Sequence, residues 1–125
     1  MSLPFARSKR RYPRVRPEPK SPVEVHIMGV GFLDVVRARD IGVGGVGVRV
    51  SHNFSGSDTD AAVELVLVLP REEAFIVRGI IRHLSNEGGD HYFGVAFESL
   101  TTEHRARIER YVARRLAEGA ALSSG

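Results

Sequence analysis

The sequence predicts an all-β fold: a six-stranded antiparallel β-barrel with one C-terminal amphipathic α-helix and a flexible basic N-terminal arm. Three observations carry this. Six runs of residues alternate apolar and polar side chains with a period of two, glycine-rich or polar turns separate them, and after residue 100 the apolar spacing becomes helical. With 125 residues, 42% of them hydrophobic, the chain can fill one compact core but not two. The barrel and helix are expected over 21–118, with 1–20 as the arm and 119–125 as a disordered tail.

In the arm no apolar periodicity appears, and Pro13, Pro17, Pro19 and Pro22 remove backbone donors and disfavour helix. Order in 1–20 must therefore come from a partner or from docking on the body. From Ser21 the period becomes two. Val23, Val25 and Ile27 alternate with Glu24, His26 and Met28, and the Gly29-Val30-Gly31 turn leads to a second strand over 32–39. A glycine run at 42–47 precedes a third strand, in which Val46, Val48 and Val50 alternate, and 51–60 reads as a polar loop. Val63, Leu65, Leu67 and Leu69 form a fourth strand stopped by Pro70. Strands over 75–84 and 92–98 follow, separated by a turn containing Gly88 and Gly89. The helix is expected over 101–118, with Thr101 or Thr102 as cap, Glu103 in the first turn and an apolar stripe of Ile108, Tyr111, Val112 and Leu116. Arg110, Arg114 and Arg115 complement its C-terminal dipole and need no further role on this reading. Gly119 and the tail after it should fray.

Charge is uneven. Residues 1–20 hold seven cations (Arg7, Lys9, Arg10, Arg11, Arg14, Arg16 and Lys20) and one acid, Glu18, a net +6 that leaves −3 of the chain's +3 on the remaining 105 residues. A basic arm on a mildly acidic body suits an anionic partner. Neither apolar stretch, 61–69 with Glu64 or 74–84 with Arg78, is long enough to span a bilayer, so no membrane insertion is expected. The basic N-terminus runs into RVRPEPKSP and not into an apolar segment, which predicts a cytoplasmic protein. Having no cysteine excludes disulfides, thiolate metal sites and cysteine nucleophiles.

Catalytic patterns are missing from the sequence. Gly42-Val43-Gly44-Gly45-Val46-Gly47 satisfies GxGxxG, but a strand follows it where a dinucleotide fold needs a helix. His26, His52, His83, His91 and His104 show no metal-ligand spacing, and there is no GxSxG elbow or P-loop. Neither an enzyme, nor a metal, nor a cofactor is expected.

Two motifs remain. Arg10-Arg11-Tyr12-Pro13-Arg14-Val15 contains RxxxR just before the first strand, and Asp40-Ile41-Gly42-Val43-Gly44-Gly45 lies between the second and third strands. In this order and spacing, and with Gly79-Ile80-Ile81-Arg82-His83 and Gly94-Val95-Ala96-Phe97 further on, the chain resembles the PilZ domain family from about Lys9 to Leu116. The second motif is similar to that family's (D/N)xSxxG turn, with Gly42 in the serine position. The resemblance implies a non-catalytic bacterial receptor for the second messenger cyclic di-GMP, serving motility or biofilm regulation through an unidentified effector protein.

It also implies a ligand site made of Arg10, Arg11, Arg14, Asp40, Gly42, Gly45 and His83. Arginine forks bind phosphates and the N7/O6 edge of guanine bidentately. On this reading Asp40 accepts from guanine N1–H and N2–H2, Gly45 admits the ligand to the backbone, and His83 sits where an aromatic residue stacks. The missing hydroxyl at Gly42 removes about 0.5–1.5 kcal/mol of binding, so Gly42→Ser is expected to tighten it if the backbone tolerates a Cβ. Two alternatives stay open: a PilZ-like protein-interaction adaptor that has lost nucleotide binding, and a small barrel binding single-stranded nucleic acid. The second fits less well, because Phe93 and Phe97 fall on apolar faces.

Overall fold

The computed structural model describes residues 12–50, 59–87 and 90–123. Arg10 and Arg11 lie outside them, as do 51–58 of the expected loop and the turn residues Gly88 and Gly89. The elements run β1 (Arg14–Val15), β2 (Glu24–Gly29), β3 (Phe32–Gly42), β4 (Gly45–Val50), β5 (Ala62–Val68), β6 (Phe75–Glu87), β7 (Asp90–Ser99), α1 (Thr102–Ala117) and β8 (Leu122–Ser123). All the ladders between these strands are antiparallel, in the order β2-β5-β6-β7-β4-β3-β1-β8, and a further β2–β3 pairing closes the six strands β2 to β7 into a barrel.

Alternation decides which side chains fill it. Cross-strand partners share a face, and one row of partners, Val15, Ile41, Val46, Val95 and Ile81, is wholly buried across five strands. Val25, Ile27, Leu65 and Leu67 close the core from the other side. Each such side chain stabilises by about 1.5–3 kcal/mol, against about 0–1 kcal/mol for a surface ion pair, so apolar rows set the register.

Two short strands at the chain ends add to the sequence reading. Within the arm, Arg14 and Val15 dock on β3, with Val15 plugged into the core. In the tail expected to fray, Leu122 and Ser123 pair with the other edge of β1. Their backbone groups thereby gain partners that short terminal segments usually lack.

Thr101 caps α1 as its side-chain oxygen accepts from the His104 amide at 3.0 Å, and Gly119, with φ +96°, ends it in the left-handed region that glycine favours. Ile108, Tyr111 and Val112 enter the barrel core. The His104 ring stacks on Phe75 with centroids 4.3 Å apart, and Arg107 Nε donates to Glu72 Oε1 at 2.7 Å, fixing the helix to the β5–β6 turn. Leu116, placed in the apolar stripe by its spacing, is 41% exposed. Leu65→Ala is therefore expected to destabilise the protein by about 3 kcal/mol, whereas Leu116→Ala should change it by under ~1 kcal/mol; denaturant unfolding of both variants measures the contrast.

Candidate functional site

The outer face of β1, β3, β4 and β7 is paved with small residues. On either side of the buried row lie two outward rows: Arg14, Gly42, Gly45 and Ala96; and Asp40, Gly47, Gly94 and His83. Arg14 faces outward because its neighbour Val15 faces in. Asp40 faces outward because of a β-bulge. Between the partners Ala38/Val48 and Asp40/Gly47 the register shifts by one residue, at Arg39. In a regular strand Asp40, two residues after Ala38, would share its inward phase; the bulge at Arg39 reverses it.

Arg14 Nη1 donates to Asp40 Oδ1 at 3.2 Å, across 26 residues of sequence. The carboxylate has no exposure and the arginine side chain 11%. Arg39 Nε stands 3.5 Å from Asp40 Oδ2, with its guanidinium 5.0 Å over the Tyr92 ring. Asp40 is thus enclosed between two arginines on the outside of the barrel. A charge taken out of water needs this: an unpaired buried carboxylate would cost several kcal/mol, about 3–5 when one partner is removed.

The glycines of 42–47 make the enclosure possible. None of them has a left-handed φ; each occupies a position where a side chain would collide. A Cβ on Gly42 would stand 2.1 Å from the Pro13 carbonyl oxygen, one on Gly44 3.0 Å from the Tyr12 ring, one on Gly45 2.2 Å from the Val95 carbonyl oxygen and 2.7 Å from Arg14 Nη2, and one on Gly47 2.7 Å from Asp40 Oδ1. The run is a bed for residues 12–14 and for the Asp40 carboxylate. This corrects the expectation for Gly42. Its missing hydroxyl matters less than its missing Cβ, because Ser there would push β1 off β3.

Of the expected site residues, Arg14, Asp40, Gly42 and Gly45 are brought together. His83 stands exposed at the far end of the Asp40 row beside Gly94, where a second bulge between Ile81 and His83 turns both Arg82 and His83 outward. Arg10 and Arg11 fall outside the described residues.

Two grooves flank the pair. One, of about 490 Å³, has Tyr12, Arg14, Arg82 and Arg105 on its walls. Arg105, from the first turns of α1, lies 5.3 Å over the Tyr12 ring, and hydrogen bonding to Tyr12 raises its pKa further, so its charge persists at any physiological pH. The other, of about 810 Å³, collects Arg16, Arg37, Arg39 and Arg49 against Asp34 and Asp90, with Tyr92 as its aromatic wall. Both volumes suit a nucleotide-sized ligand. Tyr12, Arg39, Arg49, Tyr92 and Arg105 were not singled out from the sequence. Arg49, in the polar phase of a strand directly after the glycine run, had a legible signal; Arg105 in an arginine-rich helix did not. Among the described residues no cluster of His, Asp and Glu suits a metal ion, and no helix is long and apolar enough to cross a membrane.

The family model described as PilZ domain matches residues 8–114. An uncharacterized protein of Aquifex aeolicus is 29% identical over 120 residues, covering 88% of this chain and 52% of its own. Among solved structures, the inhibitor of motility MotI/DgrA of Bacillus subtilis superposes with a TM-score of 0.75 at 16% identity, over 89% of this chain and 53% of its own. The PilZ domain of Escherichia coli YcgR, solved with c-di-GMP, gives 0.72 at 13% identity, over 90% of this chain and 95% of its own. MrkH of K. pneumonia in complex with c-di-GMP gives 0.74 at 18%, over 90% and 53%. At these identities the structures share the fold. This chain spans about half the length of the Aquifex relative, of MotI and of MrkH.

Gly42→Ser is expected to destabilise the protein by about 1–3 kcal/mol, as overpacking does. Faster amide exchange at Arg14 and Val15, with the barrel strands unchanged, identifies the loss as detachment of β1.

Proposed function

The chain belongs to the PilZ domain family, and from that premise we propose that it is a non-catalytic receptor for cyclic di-GMP. One observation carries the reading most: the Arg14–Asp40 pair, which unites the family's two motifs over a bed of glycines and is flanked by further arginines. Structures of the same fold solved with c-di-GMP support it.

In this proposal Arg10, Arg11 and Arg14 hold phosphates and guanine N7/O6 edges through bidentate hydrogen bonds. Gly42 and Gly45 keep the floor low, and His83 stacks at its far end. Asp40 is the guanine acceptor, and because Arg14 covers it, the ligand enters by exchange. A phosphate takes the Arg14 guanidinium while guanine N1–H and N2–H2 take the carboxylate. Neither charge is left buried and unpaired at the end. The arm ahead of Tyr12 orders over the nucleotide, and the changed surface passes the signal to an effector protein in motility or biofilm control.

Asp40's enclosure favours a second reading, an interaction adaptor in which the pair is permanent and no nucleotide binds. Calorimetry separates the two. Cyclic di-GMP should bind to wild type in preference to a mixed oligonucleotide, and Arg10→Ala/Arg14→Ala should weaken binding by roughly one to two orders of magnitude, the loss of charge-assisted contacts less the ordering they offset. Ligand at about 100 times its dissociation constant adds about 2.7 kcal/mol, a shift of several degrees in Tm. Absence of both heat and shift in wild type would leave the adaptor as the account.

A further inference from the structure

We infer that Arg115 and the C-terminal strand β8 are positioning elements of the ligand site: they hold the segment that carries Arg14 against the barrel. The inference deepens the receptor reading and rests on it for its functional consequence.

A two-residue strand is a weak attachment. Ordering a residue's backbone costs more than the net return of one backbone hydrogen bond. Two paired residues are a narrow hold for 12–17, beside the burial of Val15, the Arg14–Asp40 pair and the packing of Tyr12 under Arg105. Two further attachments come from the C-terminus. On its second edge, β1 pairs with β8, Arg14 opposite Ser123 and Val15 opposite Leu122. One residue beyond β1, Arg115 Nε donates to the Arg16 carbonyl at 2.9 Å, spanning 99 residues of sequence.

Arg115 is itself held. Its Nη1 meets Glu118 Oε1 at 2.9 Å, and its side chain is only 14% exposed. A guanidinium fixed by a carboxylate donates to a carbonyl with little entropy left to lose. Arg114, its neighbour, instead lies 5.3 Å over the Tyr111 ring, so the two arginines, alike in sequence, differ in what they hold. The Arg14 guanidinium thus stands at the end of a chain of attachments that begins in α1. Coupling is reciprocal: whatever draws Arg14 onto a ligand is felt at β8.

Hydrogen exchange with and without cyclic di-GMP tests this on wild type, Arg115→Ala, Arg115→Lys, Arg114→Ala and a chain ending at Ala120. In the absence of nucleotide, Arg115→Ala and the shortened chain should each speed exchange at Arg14 and Val15 about tenfold, ~1.4 kcal/mol for a charge-assisted hydrogen bond. Leu65 and Val95 should keep their protection, Arg115→Lys should recover part of the loss, and Arg114→Ala should match wild type. With nucleotide, affinity should fall about three- to tenfold in the two loosened variants, and wild type should gain protection at Leu122 and Ser123. Unchanged exchange at Arg14 and Val15 overturns the inference, as does a uniform loosening that includes Leu65. If the predicted loosening occurs but wild type binds no nucleotide, the positioning role stands and the receptor reading fails.

Discussion

The Asp40 carboxylate is sealed from water on the outside of a β-barrel, and that constraint organises the face around it. An enclosed anion needs a cation within a few ångströms, and β3 supplies Arg39, whose Nε is 3.5 Å away with no hydrogen bond formed. Arg14 comes from outside the six-stranded barrel, on β1. For Arg14 to reach across, Val15 must enter the core, Gly42, Gly45 and Gly47 must lack side chains, and the segment after β1 must be anchored. The structure meets each condition with a separate feature, and the features lie in sequence from Tyr12 to Ser123.

Both bulges on this face do the same work. A regular β3 would aim Asp40 into the interior, which holds apolar side chains and no cation among the described residues, and a regular β6 would aim His83 there. One extra residue in each strand reverses the phase, and the extra residues, Arg39 and Arg82, are themselves cations on the two grooves. The bulges thus add positive charge to the outer face while keeping the inward rows apolar. The adjoining helix contributes in the same direction through Arg105, so charge from the arm, the barrel and α1 converges on one side of the molecule.

Much of this was legible in the sequence and some was not, for identifiable reasons. Period-two runs mark their own burial, so the barrel strands were readable to within a few residues, as was α1 from Thr101 and its apolar stripe. Arg14, Asp40 and the glycines were found through the spacing of two motifs, but their relation was not. A motif records which residues are present; that the missing Cβ atoms in 42–47 give room to Tyr12, Pro13, Arg14, Asp40 and the Val95 carbonyl is a fact of close approach between distant segments. β8 was illegible because Leu122–Ser123 has no periodicity to read; its partner is two residues at the other end of the chain. Arg115 was assigned to the helix dipole, which explains its position on α1 but not its reach to Arg16. Bulges leave no periodic trace either, since one inserted residue reads as an ordinary strand residue until the partner's register is known.

The enclosure also bears on selectivity, if the site works as a receptor. An arginine waiting in solvent would accept any phosphate that arrived, with affinity set mainly by charge. Arg14 instead begins with a carboxylate already satisfied, and a simple anion that captured it would take from the enclosed Asp40 its 3.2 Å cation, at a cost of several kcal/mol. A ligand avoids that penalty only by bringing an acceptor for the guanidinium and donors for the carboxylate together. Guanine offers N1–H and N2–H2 on one edge, and a cyclic dinucleotide carries its phosphates on the same rigid ring, so both replacements arrive in one binding event. Adenine has no such donor pair, and inorganic phosphate has no pair of N–H donors on one planar edge. The buried ion pair, which at first sight obstructs the site, is on this reading the feature that discriminates among anions.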